Sequence, residues 1–419
     1  MRYTVDISGT DELANLQVFV GSTARVVVAD GFEQESVGSE TKLDWSGTGR
    51  GRLVVETTSQ ASDDPRSGEY FTGDGWQLAS VPFVELRWRA TGQSTTHTTR
   101  PLGDEAGLLD DGQSGVYGDR YALVGETSQR TIRANGQRIR LVTPKGTGVG
   151  AGRHDVLQAI AAASRQLDVG DRDKHVLLFG LPDPVRRGGE TFPTRDEGWV
   201  SADEPVDSAN DVWLHEYVHT RQSFRLGKSM QWFREASAEY YAARLTFEQH
   251  RISRQEMKAH LDGKASSATL TDPSTWENER VPYRKGARVL ALLDRNIRRS
   301  TDGRRSLEDV FRRMNSHNGR VTYPEFQRMV AQVAGHSMDG WLDRYVAGPH
   351  PVASFYAPRS ASAGLFGITG KVVQRGGVGL VFVVVASVFS VLASVPLYVF
   401  LRWVEIEPEE IDPRPPRLS

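Results

Sequence analysis

His215, Glu216 and His219 stand in the order His-Glu-x-x-His within the segment DVWLHEYVHTRQSF. On a helix, His215 and His219 lie one turn apart on one face, so both imidazoles can reach one divalent metal ion. Glu216 is rotated about 100° around the axis. It can stand beside the metal's open position without taking a ligand site. The chain contains no cysteine, which excludes disulfides, thiolate zinc sites, iron–sulfur clusters and a thiol nucleophile. Any metal here is held by His, Asp or Glu. A catalytic zinc takes three protein ligands and leaves a position for water. The next helical segment, WFREASAEYYAAR, offers Glu235 and Glu239, one turn apart. Spacing alone leaves open which of them binds metal and which accepts the ring N–H of a ligating histidine. The apolar Trp232, Phe233, Tyr240 and Tyr241 around them argue for burial, and buried carboxylates need partners. Tyr283 stands before a strongly apolar helical stretch carrying Val289, Leu290, Leu293 and Ile297. It is either a packing residue or a phenol placed to donate to a developing oxyanion.

The elements that must position these groups fall into two regions. Residues 1–145 alternate apolar and polar side chains in short runs such as RYTVDI, LQVFV and ARVVVA, separated by Gly, Asp and Ser clusters. Asn135-Gly136 between two such runs signals a hairpin. A β-sandwich is the expected outcome. From about residue 150 the pattern becomes helical, interrupted by an apolar strand at His175–Phe179 and by a polar stretch at 182–210 that reads as loops or weak edge strands. Residues 211–346 read as mostly helix, with Asn210 or Asp211 as the cap of the metal-site helix. The glycine-rich GTGVGAG at 146–152 partly fits a dinucleotide loop, yet only one strand–helix–strand unit follows it. A hinge between domains is the plainer account.

The 419 residues carry 51 Lys+Arg against 53 Asp+Glu, a net charge of -2, which gives no electrostatic case for a nucleic-acid partner. Arginines at 298, 299, 304, 305, 312 and 313 are interleaved with acids and read as a solvated helix face. Val378–Leu401 is a 24-residue run without a charge, long enough to cross a bilayer. Residues 351–377 form the linker to it, and the polar, proline-rich 402–419 form a tail. The N-terminus shows no signal-peptide pattern. The expectation is a single-pass protein with a C-terminal anchor in the lipid bilayer and a cytosolic body.

The constellation resembles the gluzincin metallopeptidases, and most closely the glycyl aminopeptidase family. In those enzymes the third-ligand helix reads Trp-x-x-Glu-Gly/Ala-x-Ala/Thr-x-Tyr, and this chain has Trp232, Glu235, Ala236, Ala238 and Tyr240 at the matching positions. The resemblance implies Glu235 as zinc ligand and Glu239 as the acid behind a histidine ligand. Counting residues from His219 points to Glu239 as ligand instead. Tyr283-Arg-Lys285-Gly286 is similar to the Tyr-x-Lys-Gly element whose tyrosine stabilises the tetrahedral intermediate. Gly188-Gly189-Glu190 echoes the glycine-rich edge strand with a substrate-binding acid. The family's PDZ domain is absent, and the link between His219 and Glu235 is short. The implied fold is multidomain α+β: an N-terminal β-sandwich (1–145), a thermolysin-like, mostly helical catalytic domain (150–350) and one C-terminal transmembrane helix. The implied activity is hydrolysis of peptide bonds with one zinc ion on His215, His219 and Glu235, Glu216 as general base and Tyr283 as oxyanion donor. A membrane-tethered binding protein with a structural or degenerate zinc site is the competing reading.

Overall fold

A computed structural model describes residues 2–352 except 8–12, 22–23, 39, 48–49, 57–70, 82–83, 100–106, 109–113, 171, 192–195 and 263–265. The apolar run 378–401, with its tail and linker residues 353–377, lies outside the described residues. Among the described residues no helix is long and apolar enough to cross a membrane.

The chain folds as a mixed α+β, multidomain protein. At its N-terminal end, β1 (Arg2–Ile7), β6 (Gly51–Glu56) and β3 (Arg25–Asp30) form one sheet in that order. A second sheet runs β10 (His97–Thr99), β9 (Val84–Ala90), β2 (Leu13–Val20), β5 (Glu40–Trp45), β4 (Phe32–Val37). Alternate residues of the two sheets meet in one core: Val5, Leu53 and Val55 from the first, Val18, Val20, Leu43 and Val84 from the second. The period of two puts the intervening side chains outward.

A third sheet, β11 (Gly107–Leu108), β12 (Gly115–Tyr117), β13 (Tyr121–Gly125), β8 (Trp76–Ser80), β7 (Phe71–Gly73), packs elsewhere. Its Trp76, Leu78, Val116, Tyr121 and Leu123 share a core with Leu177, Phe179, Leu181 and Trp199 of a fourth sheet. That fourth sheet is ordered β14 (Thr127–Ala134), β15 (Gln137–Pro144), β16 (His175–Leu181), β18 (Glu197–Ser201), β17 (Gly189–Thr191). The hairpin 127–144, grouped by sequence pattern with the N-terminal strands, therefore belongs to the sheet that carries the site: β15 runs parallel to β16. The stretch 182–210, expected as loops or weak edge strands, holds the edge strand β17 and the interior strand β18. β18 is fully buried and has no apolar–polar alternation, because Trp199 faces the sheet-side core while Val200 faces the helices.

The other face of this sheet is covered by α1 (Arg153–Gln166) and α2 (Val212–His219), and α3 (Trp232–Glu248), α4 (Arg254–Leu261), α5 (Ala287–Ser300), α6 (Leu307–Asn315), α7 (Tyr323–Ala334) and α8 (Asp339–Tyr345) follow, joined with them in one apolar core. The short pair β19 (Arg225–Leu226) and β20 (Arg320–Val321) ties the loop after α2 to the loop before α7. Gly152 precedes α1 at φ 79° and no side chain caps that helix, so the glycine-rich stretch ends in a backbone turn that favours glycine.

Candidate metal centre

Asp211 starts α2. Its side chain accepts the Leu214 N–H at 3.0 Å, satisfying one of the first-turn donors. All eight residues of the helix are buried. Such burial suits a short helix that tertiary packing must hold. Tyr217 on the same helix donates to Gln137 Oε1 at 2.7 Å, which fastens α2 to β15.

His215 and His219 project from one face. Their Nε2 atoms lie 3.1 Å apart, and Glu235 Oε2 on α3 is 3.4 Å from each. Donors bound to one tetrahedral zinc at about 2.0–2.1 Å lie about 3.3 Å from one another. The three atoms therefore fit a single ion of that size, and among the described residues they form one potential metal-holding group.

The partners of the other ring nitrogens fix the tautomers. His215 Nδ1 faces Glu239 Oε2 at 3.2 Å. His219 Nδ1 faces Gln222 Oε1 at 3.0 Å. The Gln222 amide is oriented by its own donations to Arg234 O at 2.8 Å and Ser237 Oγ at 3.0 Å, so its oxygen is the atom turned to His219. Both imidazoles thus carry a proton on Nδ1 and direct Nε2 lone pairs at each other and at a carboxylate. Three acceptors converging in a buried place repel unless a cation lies between them. The titration directions show the same demand for positive charge among these atoms, which a proton on His215 also meets. Burial opposes charge on Glu235, but His219 and His215 outweigh it and hold the carboxyl well below its ordinary range. Burial likewise opposes charge on His215, and Glu235 and Glu239 overcome it.

Glu216 is buried, and its Oε2 has no hydrogen-bond partner. Burial raises its pKa. Its neighbour is the edge strand β17: a Cβ on Gly189 would come 2.7 Å from Glu216 Cγ and 2.8 Å from Oε1. Glycine at 189 makes the room in which the Glu216 carboxyl stands. Gly188 is occupied on both sides, its N–H on Glu204 Oε1 at 3.0 Å and its C=O accepting from Ser201 N at 2.8 Å. Glu190 lies on β17 opposite Trp199, 4.0 Å from Arg186.

Tyr283 stands ahead of α5, as expected, but not in a loop. It sits in a wide helical turn, Pro282–Gly286, that runs directly into α5. Its ring stacks on His215 with centroids 5.6 Å apart and planes 7° from parallel. Burial, then the Glu235 carboxylate, hold its hydroxyl protonated far above the ordinary phenol range. Two neighbours in the turn place it. Gly286 lies against Ala236, the residue after Glu235, and buried Lys285 donates to the carbonyls of Ala268 and Gly348. The structure thus brings His215, Glu216, His219, Glu235, Glu239 and Tyr283 to one place and leaves Gly188 as a backbone support. Gln222 and His260, which also belong to the cluster, carried no motif. Gln222 had the faint signal of standing three residues after His219.

No family model matches the chain, and no curated protein matches it in sequence. Solved structures do. An aminopeptidase N family protein from Idiomarina loihiensis superposes with a TM-score of 0.58 at 13% identity, covering 84% of this chain and 74% of that one. An M1 zinc metallopeptidase from Deinococcus radiodurans, in a mutant form bound to a Tyr-Ser-Ala substrate, gives 0.54 at 14% identity, covering 84% and 91%. The same enzyme in another crystal structure gives 0.51 at 15%. At such identities the likeness establishes the fold: this chain is built like the M1 zinc metallopeptidases.

Proposed function

We propose that this protein is a zinc-dependent peptidase, with His215, His219 and Glu235 holding the ion. The observation that carries the reading is the convergence of two Nε2 lone pairs and one carboxylate within 3.1–3.4 Å, each ring fixed from behind. When bound, zinc supplies Lewis acidity, lowering the pKa of water towards about 7 and polarising a carbonyl. Glu216, with one buried oxygen unpartnered, takes the proton from the attacking water and returns it to the leaving amine. Tyr283, held protonated over His215, donates to the oxyanion. Gly189 keeps the edge strand close to Glu216, and Glu190 on that strand is the candidate group for a substrate's N-terminal ammonium. The closer affinity to glycyl aminopeptidases rests on the sequence motifs around Glu235 and Tyr283. Anchoring in the bilayer through 378–401 rests on that run's length and hydropathy.

The test uses the purified full chain, its metal content measured, on peptides with free and blocked N-termini. Glu216→Gln should keep zinc and lose hydrolysis by about 10²–10⁴-fold. Glu235→Gln should lose both. Equal loss of zinc in the two variants contradicts the assigned roles. A zinc-loaded wild type that cleaves none of the peptides favours the binding-protein reading. Cleavage restricted to free N-termini favours the aminopeptidase.

A further inference from the structure

We propose that His260 is a positioning residue of the metal centre: acting through Glu239, it fixes the direction in which His215 presents Nε2. The proposal rests on the peptidase reading and extends the site to a third helix, α4.

Glu239 has two carboxylate oxygens, and each meets an imidazole. Oε2 lies 3.2 Å from His215 Nδ1, and Oε1 lies 2.6 Å from His260 Nε2. An ionised carboxylate only accepts, so both ring nitrogens donate to it. His215 therefore keeps its proton on Nδ1 and frees Nε2 for metal. A glutamate side chain with one oxygen engaged still has rotamers to choose from. With both engaged it is fixed behind His215.

The anchor is itself held. Reciprocal bonds between Ser253 and Glu256 lock the start of α4. Arg288 of α5 clamps its end, reaching the Asp262 carboxylate at 3.1 Å and the Asp262 carbonyl at 3.2 Å. Leu261 is the buried residue of α4, and Met257 packs partly against the core. The His260–Glu239 bond joins α4 to the metal-bearing α3, as does the Arg254 guanidinium, which lies 5.6 Å from the Phe247 ring centroid. His260 touches neither the metal-holding atoms nor Glu216, so its effect must pass through Glu239.

The experiment measures zinc affinity of the metal-stripped full chain by competition with a chromophoric chelator. Visible spectra of the cobalt(II)-loaded protein accompany it. His260→Leu should weaken zinc binding about tenfold and move the cobalt bands. His260→Gln, which retains an N–H donor of similar reach, should stay within about twofold and keep the wild-type spectrum. In a Glu239→Gln background His260→Leu should add nothing, because the two residues act as one unit. If the leucine variant does not fold, His260→Asn, whose amide stops short of Glu239, carries the same expectation. The proposal is overturned if His260→Leu binds zinc like wild type. It is overturned equally if Gln and Leu weaken binding alike, or if the loss persists in the Glu239→Gln background. Wild-type protein that takes up no zinc overturns the peptidase reading as well, which separates that failure from this one.

Discussion

Two imidazoles with protons on Nδ1 point their Nε2 lone pairs at each other across 3.1 Å, with a carboxylate oxygen 3.4 Å from both. Each outer nitrogen is already committed, to Glu239 and to Gln222, so neither ring can relieve the clash by changing tautomer at no cost. Over this cluster lies Tyr283, whose phenol stays protonated because burial and Glu235 both disfavour its anion. A donor needed only as charge develops acts on kcat. Tyr283→Phe should lower kcat by about 10²–10³-fold, with KM and zinc content near wild type. A phenylalanine variant with wild-type kcat removes Tyr283 from the mechanism and leaves it as the ring that packs on His215.

Elements bring these atoms together through close backbone approach. Gly286 has ordinary helical φ of -61°, so its value is space rather than conformation. A Cβ there would meet the Ala236 Cβ at 2.7 Å. Neither methyl can rotate away, so Gly286→Ala must push the Pro282–Gly286 turn from α3. It should cost about 1–3 kcal/mol despite alanine's better helix propensity, and displace Tyr283. Urea unfolding checks the first, and Gly286→Ala with Ala236→Gly should recover much of the loss. α5 was readable because its apolar residues recur at helical spacing: Val289, Leu290, Leu293 and Ile297 are all buried. The interior position of β18 was not readable. The EGWVS segment is covered on both faces, and its Glu, Gly and Ser carry no strand signature. The arginines of α5, α6 and the connection between them partly pair with helix acids, Arg298 with Asp294 at 2.9 Å, Arg305 and Arg312 with Asp309 at 3.1 Å each.

Across the whole molecule, one buried carboxyl marks where the third sheet meets the site-bearing sheet. Glu197 at the start of β18 accepts Tyr121 N–H at 2.6 Å and Arg120 N–H at 3.1 Å. It fills the place where a side chain on Gly118 would stand. Burial pushes its pKa to about 8, against the pull of those two donors. An unfolded glutamate ionises near about 4.3. Between these values the folded chain holds a proton that the unfolded chain has lost. This group's contribution to stability therefore falls as pH rises from about 4.5 to about 8, and levels off above. Urea midpoints at pH 5, 6, 7 and 8 should decline less in Glu197→Gln than in wild type. Parallel declines would show that Glu197 is ionised in the fold throughout.

The His pair at i and i+4, the neighbouring Glu216, the acids Glu235 and Glu239 one turn apart, and the helical character of 211–346 follow from residue type and period alone. Those are local properties, set by 3.6 residues per turn. Spacing did not decide which acid faces the imidazoles, since both lie on one stripe of α3. The approach of α3 to α2 decides it, placing Glu235 at the two Nε2 atoms and Glu239 behind His215. The same holds for His260, which is 21 residues from Glu239, and for Glu197, 76 residues from Tyr121. Such pairs are joined by packing between elements, and periodicity within one element carries no information about its angle to the next.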